Sequence, residues 1–203
     1  MRLFHSDADY AAWERVLLET LALTPMRVCA YCWMPNHWHL VLWPEKDGQL
    51  STFMQRAPNR HTQRWQRAKG RVGYGHLYQG RFKSFPVESD DHFYSLVRYV
   101  ERNALRAGLV ERAEDWPWTS LYRQSASATR IPLSAWPLAR PSRWKEHVNR
   151  PQSDGELETI RRSVRRGQPY GGEAWITRTA HKLGLESTLR ARGRPRKEIH
   201  GPQ

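Results

Sequence analysis

This sequence has little cysteine and no long apolar runs. It also has few acidic residues in comparison with its basic residues. Two cysteines in 203 residues exclude a disulfide-stapled scaffold. No stretch reaches the roughly 18 apolar residues of a membrane-spanning helix, and the N-terminal MRLFHSDADY lacks the apolar centre of a signal peptide. We therefore expect no membrane partner and a cytoplasmic location. The 20 acidic residues face 33 lysines and arginines, a net charge of +13, which favours a polyanionic partner.

The remaining composition is that of a folded protein. Hydrophobic residues make up 39% of the chain and ten are tryptophans, which is enough for one domain of ordinary size plus an appendage. Cys29 and Cys32 form a C-x-x-C pair, but the second pair of a zinc site is missing. We interpret the two as small, reduced, buried residues.

The first 110 residues alternate between helical and extended patterns. A helix begins at Ser6 or Asp7 and ends near Leu23, and a second helical stretch covers residues 49–68 with Pro58 as a predicted interruption. Strands are predicted over RVCAYCWM, HWHLVLW and residues 76–87, the first two joined by a tight turn. A third helix begins at Asp90 or Asp91 and ends before Gly108. This order predicts an α+β fold with an antiparallel sheet.

The sequence pattern changes after Trp118, where several prolines interrupt a stretch with no regular periodicity. Two short helices are predicted near residues 155–166 and 173–184, followed by LRARGRPRKEIHGPQ. From Pro137 onward the chain carries 15 basic and 7 acidic residues, so most of the positive excess lies there. We predict a first domain over residues 1–125 and a second region over 126–203, made of linker, short helices and basic tail.

The segment MPNHWHLVLWP contains two histidines at i and i+2. In a strand these side chains project from the same face, so His37 and His39 lie side by side. Two readings follow: a pair of hydrogen-bonded, half-buried histidines, or two imidazole ligands of one cation that needs a third ligand from elsewhere.

The third helix supplies a candidate for that ligand. In DDHFYSLVRYVERNALRAG, Tyr99 and Asn103 are four residues apart and share one side of the helix, at the edge of its apolar stripe. Tyr94 lies on the opposite edge, with Arg98 as its i+4 neighbour. Two imidazoles, a carboxamide oxygen and a phenol together make a candidate catalytic constellation.

These motifs resemble those of a known family. His37-Trp38-His39 looks like the HUH motif (histidine, hydrophobic residue, histidine), and Tyr99 to Asn103 resembles the tyrosine helix of single-tyrosine HUH transposases. The whole chain is similar to the REP-associated tyrosine transposases of bacteria. The stretches that carry the resemblance are YCWMPNHWHLVLWP, HLYQGRFKSFPV, RYVERNALRAGLVERAEDWPWTSL and RRSVRRGQPYGGEAW with LGLESTLRARGRPRK.

The resemblance implies a ferredoxin-like sheet with helices on one face and a basic C-terminal extension. It also implies cleavage and rejoining of single-stranded DNA beside REP-like palindromic hairpins, with Tyr99 joined to the 5′ phosphate and a 3′ hydroxyl released. His37, His39 and Asn103 would hold a divalent metal, Mg²⁺ or Mn²⁺, which suits mixed imidazole and amide ligands. Such a protein would act at the nucleoid as a monomer or homodimer.

Two features depart from the family pattern. Only residues 1–5 precede the first helix, where the family usually has a β-strand, so the presence of that strand stays open. Pro58 stands where the family's second helix is continuous.

Two alternatives remain open. A non-catalytic DNA-binding protein would read hairpins or A·T-rich DNA, because Arg192-Gly193-Arg194-Pro195 resembles an AT-hook. The second alternative is a metal-dependent hydrolase, which would need more carboxylates near the histidines. The candidate DNA-contacting residues are Arg81, Lys83, Arg190, Arg192, Arg194, Arg196 and Lys197.

Overall fold

A two-stranded antiparallel hairpin lies at the centre of the protein. The computed structural model describes residues 2–73, 75–122 and 131–190. Strand β1 covers Arg27–Met34 and strand β2 covers His37–Trp43. Met34 pairs with His37 and Cys32 with His39, so the two-residue turn at 35–36 sets the register of both histidines. The α+β class and the antiparallel sheet predicted from sequence are confirmed.

Two helices cover one face of this hairpin. Helix α1, Asp7–Leu23, follows the predicted cap at Ser6, and helix α2 covers Gln49–Ala68. Trp13 of α1 packs edge-on against Trp33 at 5.9 Å between ring centroids and stacks on Trp38 at 5.5 Å. Among the described residues, no helix is long and apolar enough to cross a membrane.

The opposite face packs against a helix that carries the candidate tyrosine. Helix α3 covers Asp91–Glu101, capped by the Asp90 side chain, and is followed by the short helix α4, Asn103–Arg106. Between them, Arg102 donates its amide to the Arg98 carbonyl at 2.9 Å and accepts from the Arg106 amide at 2.9 Å, so α4 follows α3 after a single turn residue. It ends before Gly108, whose φ of +67° suits glycine alone.

Further helices follow in the described residues, and the first two of them share the core with α3. They are α5, Trp144–Asn149, α6, Asp154–Arg166, and α7, Glu173–Leu183, and α6 and α7 match the helices predicted from sequence. Trp144 donates its indole N–H to the buried Glu101 carboxylate at 2.6 Å, and Ser120 donates to the other oxygen at 2.6 Å. Burial raises the pKa of Glu101. The division at residues 125 and 126 lies outside the described residues and stays a prediction.

Helices cover both faces of the two-stranded sheet. The physical reason is that β1 is buried from Val28 to Met34 without alternation. Tyr31 and Trp33 enter the core beside α1, whereas Ala30 and Cys32 enter the core beside α3. A strand buried on both sides needs cover on both sides.

Two element predictions were wrong, and the open question of a strand before the first helix is answered for the described residues. Residues 76–87 form no strand, since their only pairing among the described residues is a single bridge from Val87 to Tyr170. Helix α2 passes through Pro58 without a break, and residues on its buried side, including Ala57 and His61, pack into the core. The described residues before α1 form no strand, although the Leu3 and Phe4 amides donate to the Pro35 carbonyl.

One buried histidine makes stability depend on pH. His61 lies between Phe4 and Trp13, and its Nδ1 is 2.6 Å from the Tyr78 hydroxyl. Burial lowers the pKa of His61 from 6.5 to about 4. Below about pH 6.5 the unfolded chain binds a proton that the folded chain does not bind until about pH 4, so stability falls as pH falls through that window.

We expect His61→Gln to reduce this acid sensitivity. Between about pH 7.5 and pH 5, His61 accounts for a loss of about 2 kcal/mol of unfolding free energy in the wild type. Urea unfolding at both pH values measures the difference, with the exposed His76→Gln as the matched control. Equal pH sensitivity in wild type and His61→Gln would contradict the assignment.

Candidate active site

His37 and His39 point their imidazoles at the same place on one face of β2. Their Nε2 atoms are 3.1 Å apart, and the Asn36 side-chain oxygen lies 2.7 Å from His37 Nδ1. If His37 donates from Nδ1 to Asn36, its Nε2 presents a lone pair. Two nitrogen ligands at right angles around a cation, each about 2.1 Å away, lie about 3 Å apart. The same distance suits a direct hydrogen bond between the rings.

Both imidazoles favour the neutral form. Burial, with smaller contributions from His37 and Arg106, lowers the pKa of His39 to about 3. Burial and Arg106 also lower the pKa of His37. Neutral imidazole is the form that binds a metal ion, so both rings are in the ligand state at neutral pH.

The candidate nucleophile faces this pair. Tyr99 of α3 is buried, and its ring lies edge-on to the His39 ring at 5.8 Å between centroids. Two histidines and the tyrosine of a single chain therefore meet where α3 packs on the hairpin. Tyr94 points elsewhere and donates its hydroxyl hydrogen to the Ala139 carbonyl at 2.6 Å.

Asn103 lies one helical turn beyond Tyr99 and is also buried. Its Oδ1 accepts a hydrogen bond from Arg106 Nη2 at 2.8 Å, and because arginine only donates, the atom facing it must be the oxygen. Within the described chain, the buried Asn103 Nδ2 has no hydrogen-bond partner. Oδ1 keeps a second lone pair, so the carboxamide can still act as a ligand.

Arg106 is the residue that sequence reasoning missed. Its guanidinium lies 4.1 Å from the centroid of the Tyr99 ring, and Nη1 donates to the Tyr99 carbonyl at 3.3 Å. The available signal was position, since Arg106 follows Tyr99 by seven residues and Asn103 by three on one helical face.

A second cluster of side chains that could bind a metal ion was also not predicted from the sequence. Ligand atoms of Glu88, Asp90 and His92 lie within 4.8 Å of one another. All three are engaged in the fold. Asp90 caps α3 and lies 2.9 Å from His92 Nδ1, and Glu88 accepts from the Gly172 amide at 2.7 Å. This cluster therefore has a structural explanation.

The predicted DNA-contacting residues are exposed or lie outside the described chain. Arg81 and Lys83 are exposed on an irregular segment, and Arg190 is exposed at the last described position. Arg192, Arg194, Arg196 and Lys197 lie outside the described residues.

Fold and site together define a class: an α+β protein with paired strand histidines beside a helix-borne tyrosine. The sequence model of one family, described as "Transposase IS200 like", matches residues 2–103, half of the chain. This chain belongs to that family, and the resemblance found from sequence is confirmed.

Named relatives agree with this assignment. The chain is 25% identical over 107 residues to a putative REP-associated tyrosine transposase of Haemophilus influenzae, covering 49% of this chain and 61% of that protein. It is 25% identical over 124 residues to the REP-associated tyrosine transposase of Escherichia coli, covering 58% and 68%. The chain thus covers less than two thirds of the length of the Haemophilus influenzae protein.

A solved structure shares the fold. It is a REP-associated tyrosine transposase bound to a REP hairpin, with a TM-score of 0.51 and 20% identity, covering 67% of this chain and 79% of that one. At this identity the likeness shows the fold alone.

Proposed function

We propose that this protein is a metal-dependent strand transferase that cuts single-stranded DNA beside a palindromic, REP-like hairpin. The Tyr99 phenol oxygen attacks the phosphorus and the phenol proton leaves to solvent. The bond from phosphorus to the 3′ oxygen breaks, and that oxygen takes a proton from solvent. The products are a 5′-phosphotyrosine and a free 3′ hydroxyl. Attack by a 3′ hydroxyl reverses these steps and rejoins the strand.

The observation that carries this proposal is the meeting of His37, His39 and Tyr99 in one chain, with 5.8 Å between the His39 and Tyr99 rings. A phenol with a pKa near 10 is a poor nucleophile at neutral pH. It needs a phosphodiester that is held in line and polarised, and the neighbouring imidazoles supply the means to hold a cation for that purpose.

The donor set fits a divalent metal. His37, His39 and Asn103 would hold it through two Nε2 atoms and one amide oxygen, a set that accommodates Mn²⁺ or Mg²⁺. When bound, the metal would act as a Lewis acid on the phosphodiester. The chain's own task is to present two neutral imidazoles and to keep Tyr99 of α3 facing them.

The DNA partner is proposed from the relatives' names and from charge. The relatives are named for REP elements, and one was solved with a REP hairpin. The net charge of +13 and the exposed side chains of Arg81 and Lys83 support contacts with DNA phosphates. A protein that acts on chromosomal hairpins works at the nucleoid.

The test is a cleavage assay on a 5′-labelled and a 3′-labelled single-stranded oligonucleotide that carries a hairpin. We expect Mn²⁺ or Mg²⁺ to give a free 3′ hydroxyl on one fragment and a protein-linked 5′ end on the other. Binding without any cleavage would instead support the non-catalytic DNA-binding reading. Cleavage that leaves a free 5′ phosphate would support the hydrolase reading.

The basic tail gives a separate prediction. Deleting residues 190–203 should weaken hairpin binding and flatten the slope of log affinity against log salt by about 0.7 to 0.9 for each phosphate that the tail neutralises. Cleavage at saturating DNA should persist, because Tyr99 and the histidines are untouched. Fluorescence anisotropy across a salt series measures both quantities. Unchanged affinity and slope would show that the tail does not bind DNA.

Replacing Arg192 and Arg194 with lysine separates two readings of the tail. A minor-groove hook should lose its preference for A·T-rich or hairpin DNA, since lysine keeps the charge but not the guanidinium shape. A simple phosphate contact should hardly change.

A further inference from the structure

Arg106 holds a positively charged group against the proposed nucleophile. The guanidinium carbon is 4.1 Å from the Tyr99 ring centroid, Nη1 donates to the Tyr99 carbonyl and Nη2 donates to Asn103 Oδ1. These contacts use two of the five N–H donors of the group. Among the described residues, the other three make no hydrogen bond.

This charge is not neutralised by the surrounding protein. No carboxylate in the described chain lies within ion-pair distance of Arg106, and its charged neighbours include Arg102 and Arg161. Arg106 is half-buried, so its charged group is partly deprived of water. The attraction of an anion bound at the site would offset both the repulsion between the arginines and the cost of removing water from Arg106.

The position of Arg106 selects the kind of anion. Tyr99 lies in α3, and Asn103 and Arg106 lie in α4. Their side chains share one side, because the Arg106 guanidinium contacts both the Tyr99 ring and Asn103 Oδ1. The planar fork of a guanidinium matches two oxygens of a phosphate. A phosphodiester placed for attack by Tyr99 would lie within reach of the unused donors.

We propose that Arg106 donates hydrogen bonds to the non-bridging oxygens of the phosphodiester that Tyr99 attacks, while its guanidinium face fixes the Tyr99 ring. This inference rests on the proposed function. No proton leaves the guanidinium. Its role is to stabilise the negative charge that grows on the phosphorus oxygens and to keep the phenol aligned.

The first test separates rate from affinity. Arg106→Gln should slow single-turnover adduct formation at saturating hairpin DNA by roughly 100-fold or more. Affinity should change only a few fold, because many other phosphate contacts dominate it. Arg106→Lys should recover part of the rate through its charge, without the fork and the ring contact.

Arg102→Gln is the matched control. It removes the same charge one turn earlier, and among the described residues the Arg102 side chain makes no hydrogen bond or ion pair. We expect its adduct rate to stay within roughly threefold of the wild type, because it is the Arg106 guanidinium that lies over the Tyr99 ring and contacts Asn103. Equal slowing by both variants would overturn the proposal, since only total charge would then matter.

A second test does not depend on the reaction. In the unreactive Tyr99→Phe background, replacing the target phosphodiester by an uncharged methylphosphonate should weaken binding roughly tenfold. With Arg106→Gln added, this penalty should shrink to roughly twofold or less. An undiminished penalty would show that Arg106 does not contact that phosphate. If the wild-type protein forms no adduct at all, the proposed function fails; if it does and Arg106→Gln reacts normally, this inference alone fails.

Discussion

Replacing Tyr99 with phenylalanine is expected to abolish the denaturant-resistant protein–DNA adduct. The change removes a single oxygen from a ring that is already buried, so the fold should be retained. Without a nucleophile, the rate of strand cleavage should fall by roughly 1000-fold or more. Denaturing gel electrophoresis with a labelled hairpin oligonucleotide measures the adduct.

Tyr94→Phe is the matched control from the same helix. Its hydroxyl donates to the Ala139 carbonyl, so this variant loses about 1 kcal/mol of stability but should form the adduct at the normal rate. Cleavage by Tyr99→Phe at the wild-type rate would rule out the covalent mechanism and favour water as nucleophile.

Replacing His39 with alanine is expected to remove both metal binding and cleavage. The variant deletes one of the two facing Nε2 atoms, and the loss of a ligand leaves too few donors for a divalent cation. Cleavage should fall by roughly 100-fold or more, whereas hairpin affinity should change less than about threefold, because arginine and lysine contacts dominate it.

Isothermal titration with Mn²⁺ in the absence of DNA provides an independent measurement. We expect a single site in the wild-type protein and in the exposed His76→Ala control, and none in His39→Ala. If His39→Ala loses hairpin binding and cleavage equally, the histidine pair is structural, held by the direct contact between the two rings.

Local patterns were sufficient to predict the parts of the site that lie within one element. The i and i+2 spacing of His37 and His39 put them on one strand face, and the four-residue spacing of Tyr99 and Asn103 put them one turn apart. Helix α1 was predicted from its cap at Ser6 and its apolar face.

Tertiary contacts decided what sequence patterns could not. The segment over residues 76–87 reads as a strand, yet its only pairing among the described residues is one bridge. The predicted break at Pro58 did not occur, because the packing of residues such as Ala57 and His61 outweighs a missing backbone hydrogen bond. The spacing of Arg106 from Tyr99 allows a contact, but only the three-dimensional structure shows its guanidinium over the Tyr99 ring.

The most direct measurement of the central claim is the position of the covalent bond. The adduct formed with single-stranded hairpin DNA and Mn²⁺ can be trimmed with nuclease, digested with protease and sequenced by tandem mass spectrometry. Our account predicts a nucleotide phosphate on Tyr99. A nucleotide on any other residue, or complete cleavage with no modified peptide, would contradict it.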